Sequence, residues 1–453
     1  MSLNAHSISF LCPAKKKMET RPQGFKSRKR RYPFRVGHWL PKDQKFIKKW
    51  LDDLIAEVAA LPAVALHPII QEFKDTVDND ATLHMQYTQM FTEVTHSQTP
   101  TELPQVETYD QMFSLVNFIM TRWAPRYNKY ELVGFPINVI LNWSMGTTNG
   151  YAAFLNEKAN AHWKKVLDQW GEFLKSEKSC YVLVDKPWGW FGEGAMTAMP
   201  NFVEEFECDP NAEHYGFKSW DDFFIRKFRD GVRPIAKGDD VIANACESLP
   251  YDLQENVQLT DKFWIKEQNY SLKHMLNGDE YTSQFVGGTI YQAFLSALSY
   301  HRWHSPVDGK VVKAYNIPGT YYSATLSIGE DEASPDKSQG YICQVAARAV
   351  IFIEADNPRI GLMCFVAVGM SEVSTCQINP DLIPTKRMPA KRVKKGQEIG
   401  MFHFGGSTHC LLFRNGVNIK FDDKVQQTFD DQNDDNIPIN SKLATVASPR
   451  GKH

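Results

Sequence analysis

The sequence predicts an α+β protein in which a helical N-terminal region precedes a mainly β domain of barrel or sandwich type. Two changes along the 453-residue chain lead to this prediction. Up to about residue 178, apolar residues recur at spacings of three and four, the period of an amphipathic helix. From about residue 236 the period approaches two, which is typical of strands. With 43% hydrophobic residues, the chain has ample material for buried cores.

The first segment, residues 1–39, differs from the rest in charge. Residues 1–36 contain ten Lys or Arg and one acidic residue without apolar periodicity, which predicts a disordered basic leader. Because the whole chain carries a formal net charge of −2, the remainder is acidic. It therefore offers no general electrostatic attraction for nucleic acid, and we predict no nucleic-acid partner.

The sequence predicts a cytoplasmic protein without an integral membrane segment. Its longest uncharged apolar run, IGLMCFVAVGM at 360–370, is shorter than the roughly 20 residues that a membrane helix needs. The weak apolar patch near the N-terminus precedes the basic residues, the reverse of a secretory signal. Eight scattered cysteines without a CxxC pair favour a reducing compartment.

Helices are predicted over residues 40–178, followed by a connecting segment over 179–235. After Pro41, the residues predicted on one helical face are Phe46, Ile47, Trp50, Leu51, Leu54, Ile55 and Val58. The same spacing predicts further helices at 81–94, 109–123 and 151–176. In the connecting segment, YVLV at 181–184 predicts a short strand, and the start of 217–235 predicts a helix.

Residues 236–453 are predicted to form the β domain. Runs rich in β-branched residues alternate with Gly, Pro, Asn and Asp. They predict strands at 288–295, 309–317, 319–328, 347–355, 362–370 and 396–404, with one helix at 269–276.

Within this domain, YHRWHSPVDG at 300–309 contains two histidines three positions apart. His301 and His304 could bind a metal on a helix, but Pro306 and Gly309 indicate a turn. No third ligand is apparent, so we predict no metal site. Two readings stay open: the histidines are structural, or one or both titrate near neutrality and move protons.

The second reactive stretch is HFGGSTH at 403–409, in which two glycines precede Ser407. One reading is a bulge or hairpin turn between two strands, since Gly405 and Gly406 permit unusual backbone conformations. The other is self-cleavage. The Ser407 hydroxyl would attack the carbonyl of Gly406, and an acyl shift, elimination and hydrolysis would leave a pyruvoyl group. Such a reaction needs a base, an oxyanion stabiliser and an unhindered carbonyl, and Gly405 and Thr408 are candidates for stabilisation or positioning.

Taken together, these motifs resemble those of the phosphatidylserine decarboxylase family over about residues 215–447. The shared features are an FFxRxxxxxxRPI pattern (Phe223 to Ile235), the YHRxHxPxxG box (Tyr300 to Gly309) and Gly406-Ser407-Thr408. The sequence is most similar to the fungal branch that decarboxylates free aromatic amino acids such as tryptophan. Seven stretches carry that closer similarity: HPIIQEFK (67–74), WKKVLDQWGEFL (163–174), ACESLPY (245–251), YHRWHSPVDG (300–309), GTYY (319–322), FIEADN (352–357) and MFHFGGST (401–408).

The resemblance implies a mechanism and roles for individual residues. The chain would cleave itself between Gly406 and Ser407, and the two fragments would stay associated. Ser407 would become the pyruvoyl cofactor, without pyridoxal phosphate, and its ketone would form a Schiff base with the substrate amine. By resemblance, His304 is the base in self-cleavage and His301 the proton donor in decarboxylation, although the two roles could be exchanged. Glu247, in NACES, stands where the family has an aspartate that orients the histidine.

For the substrate, the resemblance implies a small aromatic amino acid, most directly L-tryptophan, which would give tryptamine and carbon dioxide. Trp303 in the histidine box and the missing membrane segment favour this over a phospholipid. Two alternatives remain: a phosphatidylserine decarboxylase that docks through its basic leader, and an uncleaved homologue that acts as a binding or scaffold protein. Trp303, Phe402 and Phe404 are either core residues or neighbours of the site.

Overall fold

The protein is described by a computed structural model that covers residues 40–41, 43–62, 65–94, 106–128, 131–261, 270–326, 338–372, 375–404, 407–431 and 435–447. The basic leader (1–39) and the pair Gly405 and Gly406 lie outside the described residues, so what the sequence predicts for them stays a prediction. The same holds for the domain boundaries at 178 and 235.

Helices dominate the described residues before 225, as predicted. The α-helices are α1 (Gln44–Ala60), α2 (Pro68–Asn79), α3 (Ala81–Thr92), α4 (Tyr109–Arg122), α5 (Pro136–Leu141), α6 (Thr148–Leu155), α7 (Glu157–Lys175), α8 (Glu193–Ala198), α9 (Phe202–Glu205) and α10 (Trp220–Phe224). A small hairpin of β1 (Tyr127–Asn128) and β2 (Glu131–Leu132) interrupts them.

Side-chain caps fix where several of these helices begin. The carboxylate of Asp43 accepts from the backbone N–H of Lys45 at the start of α1. The predicted helix over 151–176 is in fact two helices, because the Asn156 side chain accepts from the N–H groups of Lys158 and Ala159 and starts α7 there.

Two predicted strands are wrong. The first two residues of 181–184 end a 3-10 helix (Glu177–Val182), and the next two lie in bends. Nearby residues bond this backbone, since Trp190 N–H donates to Val182 O and Phe191 N–H to Val184 O. In the described part of 319–328, Thr320 forms only an isolated bridge with Ala346. Residues 327 and 328 are outside the described ranges.

The remaining predicted strands are confirmed within a larger set. The strands are β3 (Val241–Ala243), β4 (Leu249–Glu255), β5 (Thr289–Leu295), β6 (Arg302–His304), β7 (Gly309–Ile317), β8 (Arg348–Ala355), β9 (Leu362–Gly369), β10 (Cys376–Ile378), β11 (Lys391–Val393), β12 (Glu398–Phe402), β13 (Ser407–Phe413), β14 (Ile419–Phe421) and β15 (Lys442–Val446). The helices of this region are α11 (Leu272–Met275), which confirms the predicted helix in shorter form, α12 (Gln339–Val345) and α13 (Asp423–Asp431).

These strands form open antiparallel sheets, which confirms the α+β, sandwich-like prediction. A seven-stranded sheet has the order β11-β7-β8-β9-β13-β5-β4. Two three-stranded sheets have the orders β10-β12-β6 and β14-β15-β3. Strand β13 lies between β9 and β5 in the large sheet, and all seven of its residues are buried.

The large sheet is covered on both faces. On one face, Trp303 of β6 packs against Phe365 of β9, with ring centroids 5.4 Å apart. On the other face, the short helices α11 and α12 pack, and Arg348 of β8 donates to the backbone carbonyls of His274 and Met275. No helix in the described ranges combines the length and the apolar composition that crossing a bilayer requires.

The joint before Ser407 does not connect a hairpin, which corrects the reading of a turn between paired strands. Strand β12 belongs to the sheet β10-β12-β6, whereas β13 belongs to the seven-stranded sheet. The chain therefore passes from one layer of the sandwich to the other between Phe402 and Ser407.

Candidate active site

Ser407 is the first residue of β13 and is completely buried. Its backbone is paired on one side with Gly369 of β9 and on the other with Leu295 of β5. Its hydroxyl oxygen has no hydrogen-bond partner in the described part of the chain. A buried serine hydroxyl without a partner is costly, so this oxygen is a candidate for chemistry rather than for structure.

Thr408 points to the opposite face of the sheet. Its hydroxyl donates to the carbonyl of Ala293 at 3.0 Å and accepts from the Gln292 amide at 2.9 Å. The adjacent Ser407 therefore faces the layer that contains Trp303, as does His409, which stacks on Phe365 at 5.8 Å. In the structure, Thr408 anchors the start of β13, and its role in stabilising an oxyanion stays a prediction.

His301 directly precedes β6, in the layer opposite Ser407, and its carbonyl accepts from Phe402 N–H of β12 at 2.9 Å. It lies two positions before Trp303, so both side chains are on the face of this layer that is turned towards the seven-stranded sheet. Its ring is fully buried and stacks on Phe224 at 3.8 Å. Burial, aided by the charge of Arg226, lowers the pKa of His301 well below its ordinary value. His301 is therefore neutral near pH 7.

His304, at the end of β6, has its side chain on the other face of this layer, away from the seven-stranded sheet. Its Nδ1 lies 3.2 Å from Asn440 Oδ1, and its Nε2 lies 3.2 Å from the Tyr300 hydroxyl. Since Asn440 Oδ1 can only accept, Nδ1 carries the proton and Nε2 accepts from Tyr300. Burial lowers the pKa of His304, with the Asn440 hydrogen bond opposing it. Its ring is also neutral near pH 7.

The family resemblance implied that Glu247 contacts and orients His304. In the structure, the Glu247 carboxylate does not contact His304. Arg233 donates to both of its carboxylate oxygens at 2.8–3.2 Å, and the Ile439 N–H donates to Oε2 at 2.7 Å. Burial raises the pKa of Glu247, while Arg233 opposes the shift. Because Ile439 precedes Asn440, the carboxylate instead fixes the segment that contacts His304.

An open cavity of about 460 Å³ borders this cluster. Arg233, Glu247 and Tyr300 contribute to its wall, together with Ser296, which follows the β5 residue paired with Ser407. The cavity therefore reaches the histidine box at Tyr300.

Two other histidines of the second reactive stretch have different surroundings. His403 lies between Asp221, 3.0 Å from its Nδ1, and Gln377, 2.6 Å from its Nε2. His409 is fully buried, and burial lowers its pKa to about 3. Within the described ranges, no three His, Cys, Asp or Glu side chains come together as metal ligands.

Sequence reasoning missed three residues of this region. Asn440 is 136 positions from His304 and lies in no motif, so no local signal pointed to it. Tyr300 stands inside the histidine box, and its place in that motif could have suggested a role. Glu372 is a buried carboxyl beyond the end of β9, and its charge after an apolar strand was a usable signal.

Comparison with known proteins places this geometry in context. Two family models, both described as phosphatidylserine decarboxylase, match residues 67–199 and 220–430. An L-tryptophan decarboxylase of Psilocybe cyanescens is 39% identical over 419 residues, covering 86% of this chain and 91% of that protein. A decarboxylase of Amanita muscaria named iboD is 42% identical over 312 residues, covering 64% of this chain and 87% of that protein.

More distant relatives match a smaller part of the chain. A phosphatidylserine decarboxylase proenzyme of Clostridium novyi is 30% identical over 230 residues, which cover 50% of this chain and 72% of that protein.

Proposed function

Because this chain belongs to the phosphatidylserine decarboxylase family, we propose that it is a pyruvoyl-dependent decarboxylase of a free aromatic amino acid, with L-tryptophan as its substrate. The prediction of an enzyme, a decarboxylase, is confirmed by relatives that carry this activity in their names and share most of the chain's length. The substrate and the cofactor are the parts that we propose.

The position of Ser407 carries the proposal. Its buried hydroxyl has no partner among the described residues, and a serine in this state fits conversion to a pyruvoyl group. Such a group would supply a ketone that binds the substrate amine and withdraws electrons as carbon dioxide leaves.

The sheet explains how two fragments would stay together after cleavage. The fragment 407–453 contains β13, which pairs along its whole length with β9 and β5 of the larger fragment. It also contains β15, which pairs with β3. Because cleavage and loss of the Ser407 nitrogen leave the strand pairing of residues 408–413 and of β15 intact, we expect the fragments to remain one folded body.

Both histidines of the box are neutral near pH 7, because burial lowers the pKa of each ring. His301 is on the face of the β6 layer that is turned towards the seven-stranded sheet with Ser407, whereas His304 is oriented by Tyr300 and Asn440. We propose that one serves self-cleavage and the other serves protonation of the product, with the division between them open to test by separate His→Gln variants.

The experiment compares the purified chain with Ser407→Ala and with Ser114→Ala, a control on the exposed side of α4. Each protein is given tryptophan, tyrosine, phenylalanine and vesicles of phosphatidylserine, and the amine products are measured. We expect tryptamine from the first protein and from the control, and no product from Ser407→Ala. Product from the phospholipid alone would overturn the substrate assignment. An uncleaved chain without activity would favour the scaffold alternative.

A further inference from the structure

A buried arginine holds the chain immediately before the histidine box. Arg226 is only 3% exposed, and its Nη2 donates to the carbonyls of Leu298 and Ser299 at 2.7 and 3.3 Å. Its Nη1 donates to the carbonyl of Phe223 at 3.3 Å. Since Ser299 stands two positions before His301, these hydrogen bonds fix the backbone that leads into the histidine.

Two further contacts join residues 223–226 to the box. The Phe224 ring stacks on the His301 ring, with centroids 3.8 Å apart and the two planes at 20°. The Arg302 Nε donates to the Ile225 carbonyl at 2.7 Å. Residues 223–226 therefore hold the chain before His301, the ring of His301 and the residue after it, and we call these four residues the clamp.

The charge of Arg226 is unusual for so buried a position. In the part of the chain that the structure describes, no carboxylate forms an ion pair with it, and its Nε has no hydrogen-bond partner. The guanidinium instead lies 4.4 Å from the ring centroid of Phe206 and 5.0 Å from that of Phe223. Buried cations are usually paired, because their removal from water is costly. A cation that bonds backbone carbonyls beside a functional histidine therefore points to a role beyond packing.

We propose that Arg226 is a positioning residue that fixes the imidazole of His301 for its step in the reaction. The second arginine of the same sequence motif, Arg233, binds Glu247, whose carboxylate holds the segment that contacts His304. The two arginines of one motif would thus support the two histidines of the box. The inference rests on the proposed function, since it concerns the histidines of that same site.

A double-mutant cycle tests the coupling between Arg226 and His301. Self-cleavage and decarboxylation of tryptophan are timed separately in the unsubstituted chain, Arg226→Met, His301→Gln and the double variant, with decarboxylation expressed per mole of pyruvoyl group. We expect Arg226→Met to slow the step that His301→Gln slows, by about 100-fold, the loss that a misplacement of about 1 Å produces. The double variant should be no slower than His301→Gln, because a misplaced histidine and an absent one disable the same step.

A purely structural role would give a different result. The two losses would then multiply, so that the double variant would be about 100-fold slower than His301→Gln, and this would overturn the inference. Arg348→Met is the matched control, because Arg348 is also buried and donates to three backbone carbonyls, on the opposite face of the large sheet. Any loss of rate in this control should multiply with that of His301→Gln. Arg226→Lys, whose ammonium can still donate to the Leu298 carbonyl, should recover part of the rate.

A second measurement needs no activity. In the Ser407→Ala chain, the NMR signals of the His301 ring protons are assigned by comparison with a chain that also carries His301→Gln. Because the face of Phe224 shields these protons, they should resonate upfield of ordinary histidine ring protons. They should move downfield in Arg226→Met but not in Arg348→Met. Unmoved signals in Arg226→Met would contradict the clamp, even if His301→Gln leaves no measurable rate.

These outcomes separate the two proposals. If neither an amino acid nor the phospholipid releases carbon dioxide, the proposed function fails, while the NMR signals still test whether the clamp fixes His301. If tryptophan is decarboxylated but the losses of Arg226→Met and His301→Gln multiply, the function stands and only the role of Arg226 is wrong.

Discussion

Replacement of Glu247 by alanine tests how the histidine box is held in place. The carboxylate is bound by the Arg233 guanidinium and by the Ile439 N–H. The side chains of the ion pair are only 18% and 9% exposed. Glu247→Ala leaves the guanidinium with one carboxylate partner, Glu205 at 3.1 Å, and leaves the Ile439 N–H without its acceptor.

The size of the effect follows from burial. Breaking a buried ion pair by removing one partner costs about 3–5 kcal/mol. The remaining contact with Glu205 offsets part of this cost, so we expect the free energy of unfolding to fall by about 3 kcal/mol. Glu247→Gln keeps an acceptor for Ile439 and should cost less. Asp53→Ala, which removes an exposed partner of Lys49, should change stability by less than about 1 kcal/mol.

Unfolding in denaturant, followed by tryptophan fluorescence, measures these differences. The substitutions are made together with Ser407→Ala, so that every protein is expected to remain a single chain. In a parallel series that retains Ser407, Glu247→Ala should also slow self-cleavage, because Ile439 precedes the Asn440 that contacts His304. A loss of stability no greater than that of Asp53→Ala would refute the reasoning.

Three further outcomes follow from the structure. Gly400→Ala should lower the free energy of unfolding by about 1–3 kcal/mol, because the new Cβ would lie 2.5 Å from the Trp303 ring. Gly171→Ala meets no atom within 4 Å and should stabilise α7 by about 0.5–1 kcal/mol. Thermal melts compare the two variants. The pKa of His409 is about 3 in the folded chain and 6.5 in the unfolded chain, so between these values only the unfolded chain binds the proton. The free energy of unfolding should therefore fall as pH drops from 6.5 towards 3, by up to about 1.4 kcal/mol per pH unit. His409→Gln should flatten this slope, measured by denaturant unfolding between pH 7 and 5. Asn440→Leu removes the acceptor for His304 Nδ1–H and should slow self-cleavage, followed on denaturing gels.

Each of these has a contradicting result. Equal melting temperatures for the two glycine variants would refute the close approach at Trp303. An unchanged acid slope would mean that His409 does not titrate as its burial requires. Cleavage of Asn440→Leu at the rate of the unsubstituted chain would remove Asn440 from the account of the histidine box.

The local elements were predictable because their signals are local. Periodicity identified α1, α3 and α4 and most strands, since side-chain alternation is a property of the strand itself. It failed at 181–184, where hydrogen bonds from Trp190 and Phe191 hold the segment in turns. The predicted helix over 151–176 ignored the capping side chain of Asn156.

The pairing of strands and the contacts of the site were less predictable, because they join distant parts of the chain. Nothing in the sequence around Ser407 shows that β12 and β13 belong to different sheets. The motif that contains Glu247 suggested a carboxylate beside His304, but the histidine contacts Asn440 and the carboxylate contacts Arg233. Motif order identified the participants, and only long-range packing shows which of them touch.

The mass of the purified chain under denaturing conditions tests the central claim most directly. We predict two fragments, residues 1–406 and 407–453, with the smaller one lighter than the unmodified peptide by one ammonia and resistant to N-terminal sequencing. A single intact species that decarboxylates tryptophan at full rate would contradict the account.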